Sequence, residues 1–323
     1  MITSNNIIIK DSIHFHKQTP GSTQRYHLRI TENGMGYPVL LPVFVARGLE
    51  NGPVVGITAA VHGNELNGVK VLHNLIREIE KEIDVLSGTV VAVPVVNIPG
   101  LIANSREFNN GIDLNRIMPG KASGNSSEQY SWRFIKNIVS QFDYLIDLHT
   151  ASFGRVNSLY VRADMENPLS KRFALLQHPQ IIVHNKGKDK SLRGAAAKMG
   201  IPAITVEVGD PQRFQKKLIK FSLVGVHNIL SHLKMLPVEQ EHSKQEPILC
   251  QKSYWVYTDR GGFLEVFPHV TQRVKKGEVI AQITDIFGSV KTAYQVPEDG
   301  VIIGKSVNPV SQTGARIVHL GIE

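Results

Sequence analysis

The chain has 323 residues, of which 42% are hydrophobic and 20% charged, with one cysteine and a formal net charge of +8 at pH 7. These values are typical of a soluble globular enzyme with one large and one smaller domain, and they exclude a disordered protein. The lone Cys250 excludes an intramolecular disulfide and a thiolate-rich metal site. No secretory signal is visible near the N-terminus. Together with the single cysteine, this predicts a cytoplasmic protein.

The basic residues are scattered rather than gathered in a run or interleaved with aromatic side chains. This pattern favours a basic solvated surface, or a field that attracts small anionic substrates, over a nucleic-acid-binding module. No apolar run approaches the roughly 20 residues of a membrane span, so no membrane partner is predicted. The sequence leaves self-association into a homo-oligomer open.

Four segments follow one another along the chain. Residues 1–46 contain short alternating runs and Gly-rich turns, which predict a β-rich N-terminal segment. In residues 47–236, apolar runs alternate with helical patterns, which predicts an α/β catalytic domain with a mostly parallel mixed sheet and helices on both faces. Residues 237–250 are polar and predict a linker. Residues 251–323 contain short β segments punctuated by Gly, Asp and Pro, which predict a small all-β barrel.

The α/β domain contains five predicted strands and three predicted helices. The strands are PVVGITAAV, GTVVAVPVVN, DYLIDLHTA, SLYVRA and PAITVEVG. An apolar stripe from Leu66 to Ile83 predicts the first helix. The second begins with a predicted capping box of Ser126 and Gln129, and the third covers SLRGAAAKMG.

Polar side chains follow three of these strands at the point where each ends. His62 and Glu65 come after PVVGITAAV, His149 follows YLID, and Glu207 ends AITV. Ligands of open α/β sheets bind beyond the carboxyl ends of the strands, so we expect these four residues at a common edge.

Two histidines and one carboxylate are a frequent ligand set for catalytic zinc. We therefore predict that His62, Glu65 and His149 bind one zinc ion. Asp147 would either support the imidazole of a ligand or be a buried aspartate with its hydrogen bonds satisfied near a loop. A strand-capping histidine and a chance His-x-x-Glu pair are the alternatives. Glu207 would be either a fourth ligand, which closes the site, or a base that takes a proton from water, which we prefer.

The segment ANSREFNNGIDLNRIMPG contains Arg106, Asp113, Asn115 and Arg116 in a loop-like run. Two arginines in such a loop can bind a carboxylate and stabilise a developing oxyanion. The alternative is a pair of solvated surface arginines.

The motifs HGNE, DLNR, DLHTA and VEVG, in this order, resemble the succinylglutamate desuccinylase/aspartoacylase family, a branch of the zinc carboxypeptidase-like fold, over roughly residues 45–235. The resemblance implies roles for eight residues. His62, Glu65 and His149 match the zinc ligands, Glu207 the general base, Arg106 the arginine that polarises the scissile carbonyl, and Asn115, Arg116 and Arg193 the substrate-binding residues. This chain departs from many members in having Asn109 and Asn110 before DLNR. A catalytic tyrosine has only candidates, which are Tyr254, Tyr257 and Tyr294.

The C-terminal segments VKKGEVIAQITDIFGSV and VPEDGVIIG resemble a biotinyl/lipoyl-like barrel. Lys291 lies near the hairpin where carrier domains present a modified lysine. The Met-Lys-Met signature is absent, however, which favours a barrel that packs at the mouth of the site.

These observations predict a zinc-dependent amidohydrolase with one Zn²⁺ per chain, acting on a small anionic N-acylated amino acid or amine. A metallocarboxypeptidase acting on peptides is the alternative of the same chemistry. A carrier or binding protein with an inert hydrolase domain is the alternative of another class.

Overall fold

A computed structural model describes residues 7–187, 189–241, 243 and 245–323. In its first 250 residues, the described part of the chain forms a ten-stranded mixed sheet. Eleven strands lie in this part: β1 (Ile7–Lys10), β2 (Ser22–Glu32), β3 (Pro38–Arg47), β4 (Glu50–Ala59), β5 (Ser87–Val93), β6 (Tyr144–His149), β7 (Arg155–Asn157), β8 (Leu159–Ala163), β9 (Ile181–His184), β10 (Ala203–Val208) and β11 (Ile248–Cys250). The sheet has the order β1-β2-β3-β5-β4-β6-β10-β8-β9-β11, and β7 lies outside it.

Helices cover both faces of this sheet. They are α1 (Asn67–Ile79), α2 (Ile98–Ile102), α3 (Ser126–Asn137), α4 (Pro168–Leu176), α5 (Leu192–Lys198) and α6 (Lys216–His232). Short 3-10 turns cover Phe15–Lys17, Ile83–Val85, Leu114–Arg116 and Val139–Gln141. Successive strand residues point to opposite faces, so Val55 packs in the core with α1, α4 and α6, and Val54 in the core with α3 and α5. The predicted α/β class with a mixed sheet and helices is confirmed.

Parallel strands at the centre of the sheet position the functional residues. β4 pairs with β6, and β6 with β10, in parallel, so that His149 lies opposite Glu207 in the register. β4 ends at Ala59, shortly before His62. The carboxyl ends of these strands therefore meet at one edge of the sheet, as the sequence predicts.

The N-terminal strands extend the same sheet. β3 pairs antiparallel with β5, with Phe44 opposite Ala92, so the sheet has no break near residue 46. Within the predicted linker, β11 pairs in parallel with β9. Residues 242 and 244 of the predicted linker lie outside the described part of the chain. The domain boundaries stay predictions.

Two helix ends differ from the sequence prediction. The capping box of α3 lies one residue earlier than predicted: Asn125 Oδ1 accepts from the Glu128 N–H at 3.1 Å, and Glu128 Oε2 accepts from the Asn125 N–H at 3.0 Å. Ser126 is already the first helical residue, so Asn125 is the N-cap, and Glu128, three residues after Asn125, completes the reciprocal bond. α1 ends at Ile79, and Ile83 lies in a separate 3-10 turn.

Residues 252–322 form two antiparallel sheets. The strands are β12 (Lys252–Tyr257), β13 (Gly262–Val266), β14 (Arg273–Val274), β15 (Val279–Thr284), β16 (Val290–Gln295), β17 (Gly300–Ser306), β18 (Val310–Ser311) and β19 (Arg316–Ile322). They enclose a core that includes Ile280, Ile302 and Leu320. β7 pairs with β17, with Arg155 opposite Ser306, which joins this β region to the loop that follows β6. The resemblance to a biotinyl/lipoyl barrel stays a prediction.

We expect no covalent cofactor on Lys291, an exposed residue of β16 just after the turn that joins β15 to β16. Intact-mass measurement of the protein from its native cells should give the mass of the unmodified polypeptide. A biotinyl or lipoyl group mapped to Lys291 would contradict this and favour the carrier alternative.

A membrane-spanning helix is not found: in the described ranges no helix combines the required length and apolar character.

Candidate active site

Three buried side chains converge at the carboxyl edge of the sheet. His62 Nδ1 lies 2.9 Å from Glu65 Oε1, and His149 Nδ1 lies 2.9 Å from Glu65 Oε2. The two Nδ1 atoms are 3.2 Å apart. All three side chains are at most 3% exposed. Burial alone would raise the pKa of Glu65, but His62 and His149 hold it well below its usual range.

The second nitrogen of each imidazole contacts a carboxylate. His62 Nε2 lies 3.1 Å from Asp113 Oδ1, and His149 Nε2 lies 2.8 Å from Asp147 Oδ2. Asp147 also accepts from the Thr58 hydroxyl at 2.7 Å. These contacts orient both Nδ1 atoms toward Glu65, which is how metal-binding histidines are usually held. The contact of Asp147 fits the first of its two interpretations, support of an imidazole, whereas the contact of Asp113 was not foreseen.

The backbone around His62 explains the HGNE motif. Ala60 has a left-handed φ of +49°, which is uncommon for a residue other than glycine and turns the chain at the end of β4. A Cβ on Gly63 would lie 2.0 Å from the carbonyl carbon of Gly100, so only glycine allows this loop to pass α2. Glu65 then donates its N–H to the His62 carbonyl at 3.1 Å, a turn that places both side chains on one side.

Glu207 lies beside this cluster on β10. Its Oε2 accepts from Asn157 Nδ2 at 3.2 Å, and its Oε1 is 4.0 Å from Arg162 Nε. Burial raises the pKa of Glu207. Within the described residues, the group whose ligand atoms lie within 4.8 Å of one another consists of His62, Glu65 and His149 and does not include Glu207.

Arg106 reaches the cluster from the loop after α2. Its Nη1 donates to Glu65 Oε1 at 3.1 Å and to the Ser152 hydroxyl, and its Nε and Nη2 donate to Asp113 Oδ2 at 3.1 and 2.9 Å. Burial would lower the pKa of Arg106, but Glu65 and Asp113 hold it above its ordinary value. A guanidinium is therefore fixed beside the three converging side chains.

The predicted substrate-binding residues line the same pocket but differ in how exposed their side chains are and in the contacts that they already make. Arg116 is 71% exposed, with its Nε 3.4 Å from Asp113 Oδ2. Asn115 uses its Oδ1 to accept from the Leu192 N–H at 2.8 Å. Arg193 is buried and donates to the carbonyl and the side chain of Asn185. Of the two cations in this set, Arg116 is thus far more accessible than Arg193.

The pocket has a volume of about 550 Å³ and is rich in positive charge. Among the described residues that line it, seven are cationic and three acidic: Arg106, Arg116, Arg155, Arg162, Lys190, Arg193 and Arg316 against Glu65, Asp189 and Glu207. Trp255 and Arg316 come from the C-terminal β region, which therefore forms part of the pocket wall.

The sequence offered no signal for several of these residues. Arg155, Arg162, Trp255 and Arg316 are not part of the predicted site, and the tyrosine in the lining is Tyr160. The candidate tyrosines have other contacts: the Tyr254 hydroxyl donates to Glu298 and that of Tyr294 to Asp259. Tyr257 is 51% exposed.

The catalytic-domain model of the succinylglutamate desuccinylase/aspartoacylase family matches residues 51–233, more than half of the chain. The chain belongs to this family. Members of the family are deacylases, which hydrolyse amides. The matched range contains all eight residues for which the resemblance implies a role.

Individual relatives agree with this assignment. The chain is 25% identical, over 83% of its length and 81% of the relative's, to an N-alpha-acetyl-L-2,4-diaminobutyric acid deacetylase of Halomonas elongata. The product-bound ectoine utilization protein of Ruegeria pomeroyi has the same fold, with a TM-score of 0.85 at 20% identity over 93% of this chain and 95% of that one. The crystal structure of a succinylglutamate desuccinylase/aspartoacylase from Rhodobacter sphaeroides also has this fold, with a TM-score of 0.82 at 21% identity. The match covers 93% of this chain and 94% of that one.

The chemistry of the three converging side chains fits a divalent cation. Two imidazole nitrogens and a carboxylate oxygen, all buried and each backed by a further contact, are a donor set that binds zinc well. His62, Glu65 and His149 could therefore hold one metal ion, with Glu207 and Arg106 beside it.

Proposed function

We propose that this family member is a zinc-dependent deacylase, with one zinc ion per chain, that hydrolyses the amide bond of a small N-acyl amino acid. The observation that carries the proposal is the convergence of His62, Glu65 and His149 beside Glu207 in a cationic pocket. A cytoplasmic location belongs to the same proposal, supported by the single Cys250, which suits a reducing compartment.

The reaction needs a base, a carbonyl-polarising group and an acid. A zinc ion held by the three ligands would polarise a water molecule and the acyl carbonyl. The Glu207 carboxylate takes a proton from the attacking water and returns it to the amide nitrogen, so that the C–N bond breaks and an amine leaves. Arg106 Nη1 would donate to the carbonyl oxygen as negative charge develops.

The charges of the pocket support an anionic substrate. Arg116, with Asn115 beside it, would hold the carboxylate of the amino acid, since a guanidinium binds a carboxylate through two parallel hydrogen bonds. Diaminobutyrate, named for the Halomonas relative, carries a side-chain amine that is cationic at neutral pH. The excess of arginines in this pocket would repel such a group, so we propose a substrate without it.

A metallocarboxypeptidase is less well supported. Such an enzyme needs an open groove for an extended peptide, but here Trp255 and Arg316 of the C-terminal β region lie in the pocket wall. An inert domain attached to a carrier is also poorly supported. Such a domain has no physical need for buried metal ligands and a base that are held in place by hydrogen bonds.

Steady-state hydrolysis of a panel of N-acyl amino acids, with zinc present, tests the proposal. We expect release of the free amino acid from at least one anionic member of the panel. Hydrolysis restricted to the C-terminal residues of longer peptides would favour the carboxypeptidase alternative.

Arg116→Lys should raise KM or lower kcat/KM for N-acyl amino acids, because lysine cannot reproduce a bidentate pair. Peptides of four or more residues should be poor substrates for both proteins. The matched control is Arg260→Lys, at an exposed position in the C-terminal β region outside the pocket lining. Equal effects of the two substitutions would contradict a role for Arg116.

A further inference from the structure

A neutral side chain contacts the carboxylate of the base proposed above. Asn157 Nδ2 donates to Glu207 Oε2 at 3.2 Å, whereas Arg162 Nε lies 4.0 Å from Oε1, beyond a direct hydrogen bond. An ionised carboxylate only accepts hydrogen bonds, so the amide nitrogen of Asn157 is the end that faces it. The terminal torsion of a glutamate is broad, and a fixed donor restricts it to one orientation. Asn157 therefore sets the direction in which Glu207 presents its oxygens.

The C-terminal β region holds the backbone of Asn157. This residue ends β7, the short strand that lies outside the ten-stranded sheet. Beside β7, the Val307 N–H donates to the Gly154 carbonyl at 2.8 Å, and the Ser158 N–H donates to the Ile303 carbonyl at 3.0 Å. The strand is thus bonded to β17 and the residue after it just beyond both of its own ends. A part of the chain that supplies neither a proposed metal ligand nor the proposed base fixes the partner of that base.

Gly304 of β17 leaves the space that the Asn157 amide occupies. The two residues are directly opposite in the antiparallel register, so a side chain on each would lie on the same face of the pair. A Cβ on Gly304 would lie 2.2 Å from Asn157 Oδ1 and 2.9 Å from the Val156 carbonyl oxygen. The amide is the end of a side chain and can turn away, and Nδ2 turns with Oδ1 because both are bonded to Cγ. A side chain at position 304 would therefore remove the contact with Glu207.

We propose that Asn157 is a positioning residue for Glu207, and that Gly304 of the C-terminal β region allows it to reach the carboxylate. This inference rests on the general-base role proposed for Glu207 in the deacylase. A neutral donor suits the task, because it orients the carboxylate without the full positive charge that would weaken it as a base. The C-terminal β region then contributes to the hydrolytic step as well as to the pocket wall.

Asn157→Leu and Asn157→Ala test the positioning. Leucine has a size similar to that of asparagine but no donor, so both variants should lower kcat about tenfold or more, while KM and zinc content change little. The matched control is Asn51→Leu, at the exposed amino end of β4 and thus away from the carboxyl edge of the sheet. A normal kcat in Asn157→Leu, with a loss only in Asn157→Ala, would show that Asn157 merely fills space and would overturn the proposal.

A double substitution separates an effect through Glu207 from a general one. Asn157→Leu should change the residual kcat of the Glu207→Gln protein by less than about twofold, because side chains that act through one another are not additive. Equal factors in the wild-type and Glu207→Gln backgrounds would show that Asn157 does not act through the base.

Gly304→Ala tests the contribution of the C-terminal β region. It should lower kcat about as far as Asn157→Ala does and add little to that variant, in which the displaced amide is absent. Gly34→Ala is the control, since a Cβ there meets no atom within 4 Å. An unchanged kcat in Gly304→Ala, or additive losses in the double variant, would overturn the role of Gly304. The Tm shows whether each variant is folded, and the Asn157 variants decide the positioning if Gly304→Ala is not.

Crystal structures of the zinc-loaded wild type and of Asn157→Leu measure the orientation without any turnover. Glu207 should have one carboxylate orientation in the wild type and a rotated or second one in the variant. The same single orientation in both would overturn the proposal. A rotated Glu207 in a protein that hydrolyses no N-acyl amino acid would leave the positioning standing and refute the proposed function. Normal hydrolysis by both Asn157 variants would do the reverse.

Discussion

The Glu207→Gln protein should retain its zinc and lose most of its activity. A positioned general base contributes about 10²–10⁴-fold to a rate, and we expect kcat to fall by at least that range. Glutamine has nearly the same shape and can still contact Asn157, but its amide cannot accept and return a proton. The metal should stay because Glu207 does not belong to the group formed by His62, Glu65 and His149.

Elemental analysis and steady-state kinetics on the same preparation check both parts of this expectation. Glu166→Gln is the matched control, since Glu166 is 65% exposed and pairs with Lys186 on the surface. Loss of zinc from the Glu207→Gln protein would show that Glu207 is a ligand, and the proposed mechanism would then be wrong.

The His149→Ala protein should lose its zinc and, with it, the activity. Removing this side chain takes one of three ligands from a set that has no spare member among the described residues. His62→Ala and Glu65→Ala should have the same effect. Zinc content per chain after dialysis, measured by elemental analysis, is the direct readout.

A second readout separates metal loss from unfolding. A ligand that binds only the folded state raises its stability, so added zinc should raise the Tm of the metal-free wild type but not that of His149→Ala. His14→Ala is the control, because His14 is exposed and its side chain caps no helix. Full zinc occupancy in the His149→Ala protein would rule out the ligand assignment.

The placement of the site was predictable because its residues lie at or just after the carboxyl ends of strands. The apolar runs before His62, His149 and Glu207 predict buried strands, and parallel strands bring their carboxyl ends together without further information. The placement of Asp147 was predictable as well, since it lies two residues before His149 and thus on the same face of β6, but the sequence left its role open.

Residues that act through distant contacts were not predictable from local patterns. Asp113 contacts His62 across 51 positions of sequence, and although it opens the DLNR motif, no local pattern indicates which side chain it contacts. The role of Trp255 in the pocket depends on how the C-terminal β region packs, which no periodicity encodes. α4 and α6 also lie outside the predicted elements, although Asn167 followed by Pro168 is an ordinary helix start.

The pairing of β7 with β17 bears on how the substrate range of such a protein can change during evolution. One edge of the pocket is a strand of the α/β region that carries Arg155, and its hydrogen-bonded neighbour belongs to the C-terminal β region that carries Arg316. Substitutions in the C-terminal strands can therefore reshape the pocket wall while His62, Glu65 and His149 keep every contact they make. Divergence of substrate preference would then accumulate in the last quarter of the chain, and grafting that quarter between relatives would transfer preference without rebuilding the hydrolytic residues.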